Sequence, residues 1–388
     1  MATAVRPLAP TSAPAAFAAT PPTTSSSPPR RAAAVRHLGP NWYACVMGTA
    51  IVATAGAGLP AAGGIPAVRT ACAGVWALSL ALLAVLLVAR ATHWIHHRDQ
   101  ARAHLLDPAV APFYGCLSMA LLAVGGGGMV VGRDWIGAGA ALALDTVLYT
   151  TGAVIGLATA VVVPYLMIVR HRVEPGQAGP VWLLPIVPPM VAAAQGPLLV
   201  PHLPAGQLRE TLLLACLTMF GTSLLATLVM LPLILARLLV VGPLPQALTP
   251  SLFLVLGPLG QSVTALAAAA GAATGAVPDP YARGLGVLAL LYGVPVLGFA
   301  LLWLSLSVVL TVRARRGGMR FSMTWWAFTF PIGTCATGAE ALARRTGLVA
   351  ADALAIGLFA LLAAAWAVAA SATGRGVVSG ALLAAPRR

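Results

Sequence analysis

Hydrophobic positions in this chain do not alternate with polar ones at a helix or strand period; they run in long blocks. Such blocks recur at 41–60, 71–90, 112–131, 140–169, 180–201, 210–236, 250–272, 284–311, 322–343 and 349–370. A helix of roughly 20 apolar residues covers the hydrocarbon core of a bilayer, so the pattern predicts ten transmembrane helices. The blocks are of two kinds. Five are interrupted by Gly, Pro and small polar residues: VMGTAIVATAGAG, FYGCLSMALLAVGGGG, LLPIVPPMVAAAQGP, VLGPLGQSVTALAAAAG and WWAFTFPIGTCATG. The five that alternate with them are mostly Leu, Val and Ala, as in LSLALLAVLLVA and LFALLAAAWAVAA.

The interrupted blocks open at a regular spacing. Pro40, Pro112, Pro180 and Pro250 each begin one, 72, 68 and 70 residues apart, and the fifth begins near Ser322, another 72 on, with Arg320 in place of proline. Proline suits the first turn of a helix, where its missing N–H is not needed. A period of about 70 residues is one helical hairpin, out and back, and because every odd helix runs the same way the repeats are parallel. Backbone groups freed by Pro and Gly cannot be left in hydrocarbon. For any one glycine, close packing of helices is the simpler account; the fivefold coincidence favours five inner helices around a central pore, sheathed by five outer ones. The expected fold is therefore an all-α integral membrane protein, with ten transmembrane helices as five parallel helical-hairpin repeats. It spans 37–370, between a Pro/Ala/Ser/Thr-rich tail over 1–36, expected to be disordered, and a short basic tail over 371–388.

Composition agrees. Charged residues are 8% of the chain and hydrophobic ones 59%, whereas a soluble domain carries about 25% charged residues. All 23 basic residues are arginine; the absence of lysine excludes phosphate loops of the Walker type and Schiff-base chemistry. With abundant Ala, Gly and Pro, this usage points to a GC-rich bacterium. Cys45, Cys72, Cys116, Cys216 and Cys335 are isolated, which gives neither a disulfide framework nor a zinc knuckle. No catalytic motif is present, so neither an enzyme nor a cofactor is implied, and the +14 net charge, spread over loops, does not describe a nucleic-acid binder. Ala15–Ala19, bounded by Pro14 and Pro21, is too short for a signal-peptide core. Placing both termini in the cytoplasm puts 17 of the 23 arginines inside and leaves Arg69, Arg133, Arg209, Arg283, Arg344 and Arg345 outside.

Few ionisable groups fall within the blocks. Asp145 and Asp352 lie near the ends of outer helices and read as hydrogen-bonded or interfacial carboxylates, and Glu340 reads as a mouth residue beside Arg344 and Arg345. His93, His96, His97 and His104 cluster after the second block. His93 and His97 have the spacing of a helical metal pair, but with no third ligand they read as an amphipathic interfacial loop and no metal site is implied. The arginines at 313–316 read as anchors on anionic lipid.

HLGPNWYACVMGTAIVATA at the start of the membrane part resembles the first span of the tellurite-resistance/dicarboxylate transporter family, which includes slow anion channels, malate permeases and sulfite exporters. PFYGCLSM at 112–119, VLGPLGQSVTA at 255–265 and FSMTWWAFTFP at 321–331 agree with it in order. Ala50 departs from the family's more frequent glycine. The resemblance implies ten helices around a pore, small inorganic or organic anions as cargo, membrane lipid as surroundings and a homotrimer with one pore per subunit. It also implies a phenylalanine gate on the ninth helix, which maps to Phe330 of the FTFP run, with Phe328 as the competing position. The candidate pore lining is Gly48, Thr49, Gly115, Ser118, Pro185, Pro188, Gly257, Pro258, Gln261 and Pro331. The expected activity is anion passage through a channel or uniporter in the cell membrane. The alternative is a proton-coupled secondary transporter of C4-dicarboxylate, sulfite or tellurite-related oxyanions. The orientation has a direct check: cysteines placed at Arg172 or Arg315 are expected to react with an impermeant thiol reagent only after cells are permeabilised.

Overall fold

The computed structural model describes residues 36–60, 65–171 and 176–382. The expected tail up to residue 35, Arg172 and the last six residues of the basic tail lie outside the described residues. Twelve helices follow in order among them. These are α1 Tyr43–Gly58, α2 Pro66–His96, α3 Arg98–Leu106, α4 Gly115–Gly127, α5 Arg133–Ile136 and α6 Ala138–Val169. They continue with α7 Pro188–Gln195, α8 Gln207–Val241, α9 Leu256–Ala272, α10 Asp279–Arg316, α11 Thr329–Thr346 and α12 Val349–Val378. A turn of 3-10 helix precedes each of α1, α4, α7, α9 and α11, and Pro40, Pro112, Pro180 and Pro250 all lie in these turns. Pro40 and Pro180 open their turns, Pro112 is second in its own, Pro250 lies inside the longer stretch Gln246–Val255, and the turn before α11 holds no proline.

Among the described residues, seven helical stretches are long and apolar enough to cross a membrane. The predicted blocks at 41–60, 180–201 and 322–343 are not among them, for physical reasons. Helix α1 is 16 residues, α7 is 8, and α11 carries Glu340, Arg344 and Arg345 near its end. The seven fall into two burial classes. Ala111–Ile136 and Gln246–Ala272 are 83% and 89% buried over their most apolar windows, against 33% or less for the stretches containing α2, α6, α8, α10 and α12. Helices α1, α7 and α11 are likewise buried nearly all round.

Packing arranges these classes as two layers. Helix α1 packs on α4, α4 on α7, α7 on α9, α9 on α11, and α11 returns to α1, so the inner helices close a ring. Each inner helix is also backed by the outer helix that follows it: α2, α6, α8, α10 and α12 in turn. Glycine makes the ring tight. A Cβ at Gly48 would collide with the Thr329 hydroxyl, one at Gly115 with the Leu184 carbonyl oxygen, and one at Gly260 would lie 2.5 Å from the Cys335 nitrogen.

Polar staples join the layers. Trp76 on α2 donates its indole N–H to the Val124 carbonyl (2.9 Å), Ser223 on α8 donates to Ile186 (2.7 Å), and Trp303 on α10 donates to Leu252 (3.0 Å). Trp326 donates outward to Thr373 on α12 (2.9 Å), and Trp366 on α12 donates to Thr49 on α1 (3.1 Å). In hydrocarbon such bonds satisfy groups that water would otherwise solvate.

The contact at Gly115 can be tested against an exposed helical glycine. Gly115→Ala places a methyl against backbone that cannot rotate away and is expected to destabilise by about 1–3 kcal/mol, read as a lowered melting temperature in detergent. Gly357→Ala, where a Cβ meets nothing within 4 Å, is expected to melt like the parent.

Candidate transport path

The 3-10 turns and the first residues of the inner helices converge. Ala44 and Met47 of α1, Phe113 and Cys116 around the start of α4, and Leu184 ahead of α7 surround one small cavity. Ser251 and Leu254 ahead of α9, and Met323, Thr324 and Ala327 ahead of α11, complete its wall. Every inner element contributes, so the cavity lies within the ring. Its volume is about 20 Å³, room for roughly one water molecule, and its wall carries no ionisable carboxylate or base.

Beyond it the clearest trace of a path is on α9. Leu254, Gly257, Gln261, Thr264 and Ala268 recur at steps of three and four residues, which places them on one helical face. Gly257 is buried, yet a Cβ there would meet nothing within 4 Å, so empty room faces it inside the ring. Gln261 is 2% exposed, and its side-chain carbonyl oxygen has no hydrogen-bond partner. Thr264 shares a hydrogen bond with Thr337 of α11 (2.9 Å). Past it, at the C-terminal ends of α9 and α11, a second cavity of about 260 Å³ is lined by Thr264, Ala267, Ala268, Ala341, Arg344 and Arg345.

The two rings of the FTFP run part company. Phe330 is 3% exposed, within the main core, one turn beyond the cavity residue Ala327. Phe328 packs edge-on against Phe253 (4.8 Å between centroids) and Trp325 (5.7 Å), and it lines a lateral groove with residues of α10 and α12. Pro331 is buried beside Phe330, and Pro258 is buried on α9.

Six expected lining residues make contacts within or between the layers. The Thr49 hydroxyl donates to the Cys45 carbonyl and accepts from Trp366 of the outer layer. Ser118 donates to Gly152 of α6 (2.6 Å). Both hydroxyls are thus used in joining layers. Gly48 and Gly115 mark close contacts between neighbouring inner helices, and Pro185 lies against Gly115 at the same contact. Pro188 abuts Gly156 of α6. A hydroxyl in an apolar block looks the same in sequence whether it faces an axis or a neighbouring helix.

Of the carboxylates, Glu340 and Asp352 lie where expected, and Asp145 does not. Asp145 is fully buried, and neither oxygen has a hydrogen-bond partner; it faces Gly125, where a Cβ would lie 2.5 Å from one of them. The missing side chain at Gly125 makes the space for it. Glu340 is 3% exposed, 3.7 Å from Arg344, and one of its oxygens is unpartnered. Asp352 lies in the first turn of α12, where the helix dipole favours it. Arg90 is 5% exposed; it donates to the Leu38 carbonyl (2.6 Å) and stands over the Tyr114 ring. It ties the segment before α1 to the start of α4.

A closed ring of interrupted helices, sheathed by apolar ones long enough to cross a membrane, describes an integral membrane protein. Residues 37–374 match the family model of the voltage-dependent anion channels, and the chain belongs to that family. It is 26% identical over 336 residues to an uncharacterized transporter of Methanocaldococcus jannaschii, covering 86% of this chain and 92% of the relative. A second uncharacterized transporter of that organism is 24% identical over 350 residues, 90% of this chain and 97% of its own. A sulfite efflux pump of Arthroderma otae is 26% identical over 343 residues, 86% and 89% of the two chains. Family and relatives alike are channels or transporters.

The histidines form a packed group at the end of the molecule where α2 meets α3. His93 and His104 stack at 5.4 Å, and His93 and His97 lie 6.1 Å apart. His96 is exposed and bonds to the Thr92 carbonyl. Burial, and then the nearby Arg90 guanidinium, push the His104 imidazole down to about 4. The unfolded chain protonates near 6.5, so it takes up a proton first on acidification, and stability falls as pH drops from 6.5 towards 4. The wild type is expected to lose melting temperature between pH 7.5 and 5, and His104→Gln to lose less.

Proposed function

We propose that this protein conducts small anions through the axis of its inner ring, as a channel or uniporter closed by Phe330. In this reading ten helices cross the cell membrane as five parallel hairpins, both termini are cytoplasmic, and the residues up to 36 form a cytosolic tail. The cavity at the start of the inner helices is then the cytoplasmic vestibule, and the cavity at Arg344 and Arg345 is the external one. The observation that carries the proposal is the cavity walled by all five inner elements and continued by the empty room at Gly257.

Electrostatics support anions. Helix N-termini carry partial positive charge and free N–H groups, and those of the inner helices converge on the vestibule. Arginines flank the other mouth, while Glu340 is engaged with Arg344. Gly257, Pro258, Gln261 and Pro331 are the lining we retain. Phe330 is suited to a gate because an aromatic ring closes a narrow apolar passage by sterics and dewetting. Sulfite is the first cargo to examine, since relatives of comparable length are named as sulfite efflux pumps. Each chain carries a complete ring, so a homotrimer would hold three separate paths.

One observation favours the coupled reading, a proton-linked carrier of sulfite, C4-dicarboxylate or tellurite-related oxyanions: Asp145 is buried without a partner, as a proton-carrying carboxyl would be. A dependence of uptake on an imposed pH gradient, lost in Asp145→Asn, separates the two.

The gate is tested in liposomes. Phe330→Ala is expected to raise basal anion flux several-fold, with reversal potentials in asymmetric salt following the anion. Phe328→Ala, altered on the lateral groove, is expected to match wild type. Equal flux in Phe330→Ala and wild type, at equal reconstitution, rejects the gate.

A further inference from the structure

Three sulfur-bearing side chains from three elements meet at the small cavity inside the ring. Met47 stands on α1, Cys116 is the second residue of α4, and Met323 opens the 3-10 turn ahead of α11; all three line the cavity of about 20 Å³. Met47 is 2% and Cys116 1% exposed, whereas Met323 is half-buried and leaves a way in. Among the described residues, Cys45, Cys216 and Cys335 engage their sulfurs in hydrogen bonds and Cys116 does not. The two hydroxyls of the wall have spent their protons. Ser251 donates to the Leu248 carbonyl (2.6 Å) and Thr324 to the Ala247 carbonyl (2.8 Å). What the side chains of this wall offer an occupant is therefore lone pairs on sulfur and oxygen, with the Cys116 S–H, a weak donor, as the one proton left. Such a wall suits an anion in passage, which must not be held. A soft cation is what it can hold.

We propose that Met47, Cys116 and Met323 form a three-sulfur site for one soft monovalent metal ion, Cu(I) or the chemically similar Ag(I). Thiolate and thioether ligands select such ions, whereas hard cations prefer oxygen. A cavity with room for roughly one water molecule takes one ion and no more. As the sulfur–metal bond forms, the Cys116 thiol releases its proton to solvent. Cation and thiolate then cancel in charge, at a place where the N-termini of the inner helices oppose net positive charge. A zinc ion would keep an uncancelled charge there and lack a full tetrahedral set of strong ligands. The site shares the cavity of the transport reading without resting on it, because metal binding is read with no anion flux.

The test is equilibrium dialysis of the full chain in detergent against silver nitrate in halide-free buffer, with bound metal counted by elemental analysis. Silver(I) serves as the probe because it shares the ligand preference of Cu(I) and keeps its oxidation state in air. Wild type is expected to hold one tight silver ion per chain, and X-ray absorption of that complex to show sulfur neighbours only. Cys116→Ser is expected to lose the tight ion, and Cys72→Ser, altered outside the cavity, to keep it. Met47→Leu and Met323→Leu conserve volume and remove one sulfur each; each is expected to weaken binding about tenfold or more, as disturbing even a supporting group of a metal site does. Failure of wild type to retain silver overturns the proposal, as does wild-type affinity in Cys116→Ser. Nitrogen or oxygen neighbours in the absorption spectrum also reject it. Should Cys116→Ser fail to fold, the methionine variants decide, and unchanged affinity in both rejects the site.

Discussion

A broken helix can exist at membrane depth only where other protein covers it, because hydrocarbon offers no partner to a freed N–H or C=O. That constraint organises this molecule. The inner helices open with 3-10 turns and carry Pro and Gly, and each is enclosed by two inner neighbours and an outer helix. The staples from Trp76, Ser223 and Trp303 end on the carbonyls of Val124, Ile186 and Leu252, all in or beside irregular backbone. The outer layer is thus a solvent substitute as well as a wall. Its own helices continue past Pro164, Pro232 and Pro295 without breaking, and their apolar outer faces need only lipid.

This division explains what could be read from the sequence. The contrast between interrupted and Leu-rich blocks showed which helices lie inside, since composition follows directly from whether a helix faces protein or lipid. The proline spacing marked the tighter turn ahead of four of the five inner elements. Facing within the inner layer was not legible. Thr49 and Ser118 were expected along the axis and instead bond outward. Gly48 and Gly115 were expected beside a void and instead press on neighbouring helices, whereas Gly257 opens on one. Inner helices are buried on every side, so no hydrophobic asymmetry exists to orient them. Asp145 and Arg90 were hidden for a related reason. Burial of a charge depends on a gap or partner supplied by a distant segment, Gly125 in one case and Leu38 with Tyr114 in the other.

The two rings of the FTFP run show how one short segment serves two environments. Phe328 belongs to an aromatic row with Trp325 and Phe253 at the lipid-side surface, and Phe330 belongs to the core. Arg315 stands over the Trp325 ring on that outer side.

The glycine contacts also decide what kind of motion the ring permits. Where Gly115 meets the Leu184 carbonyl and Gly260 meets the backbone of Thr334 and Cys335, two main chains already touch. Neither helix can roll or slide past the other without collision, and packed interiors have few voids to take up the difference. An iris-like dilation would have to part several such contacts together and strip backbone groups of their cover. For the passage proposed above, this frame leaves side-chain rotation as the open route, a movement of picoseconds to nanoseconds for an unhindered group, where whole-helix shifts would take microseconds to milliseconds. Rigidity of the frame has one origin, the absence of a methyl group at a few backbone crossings.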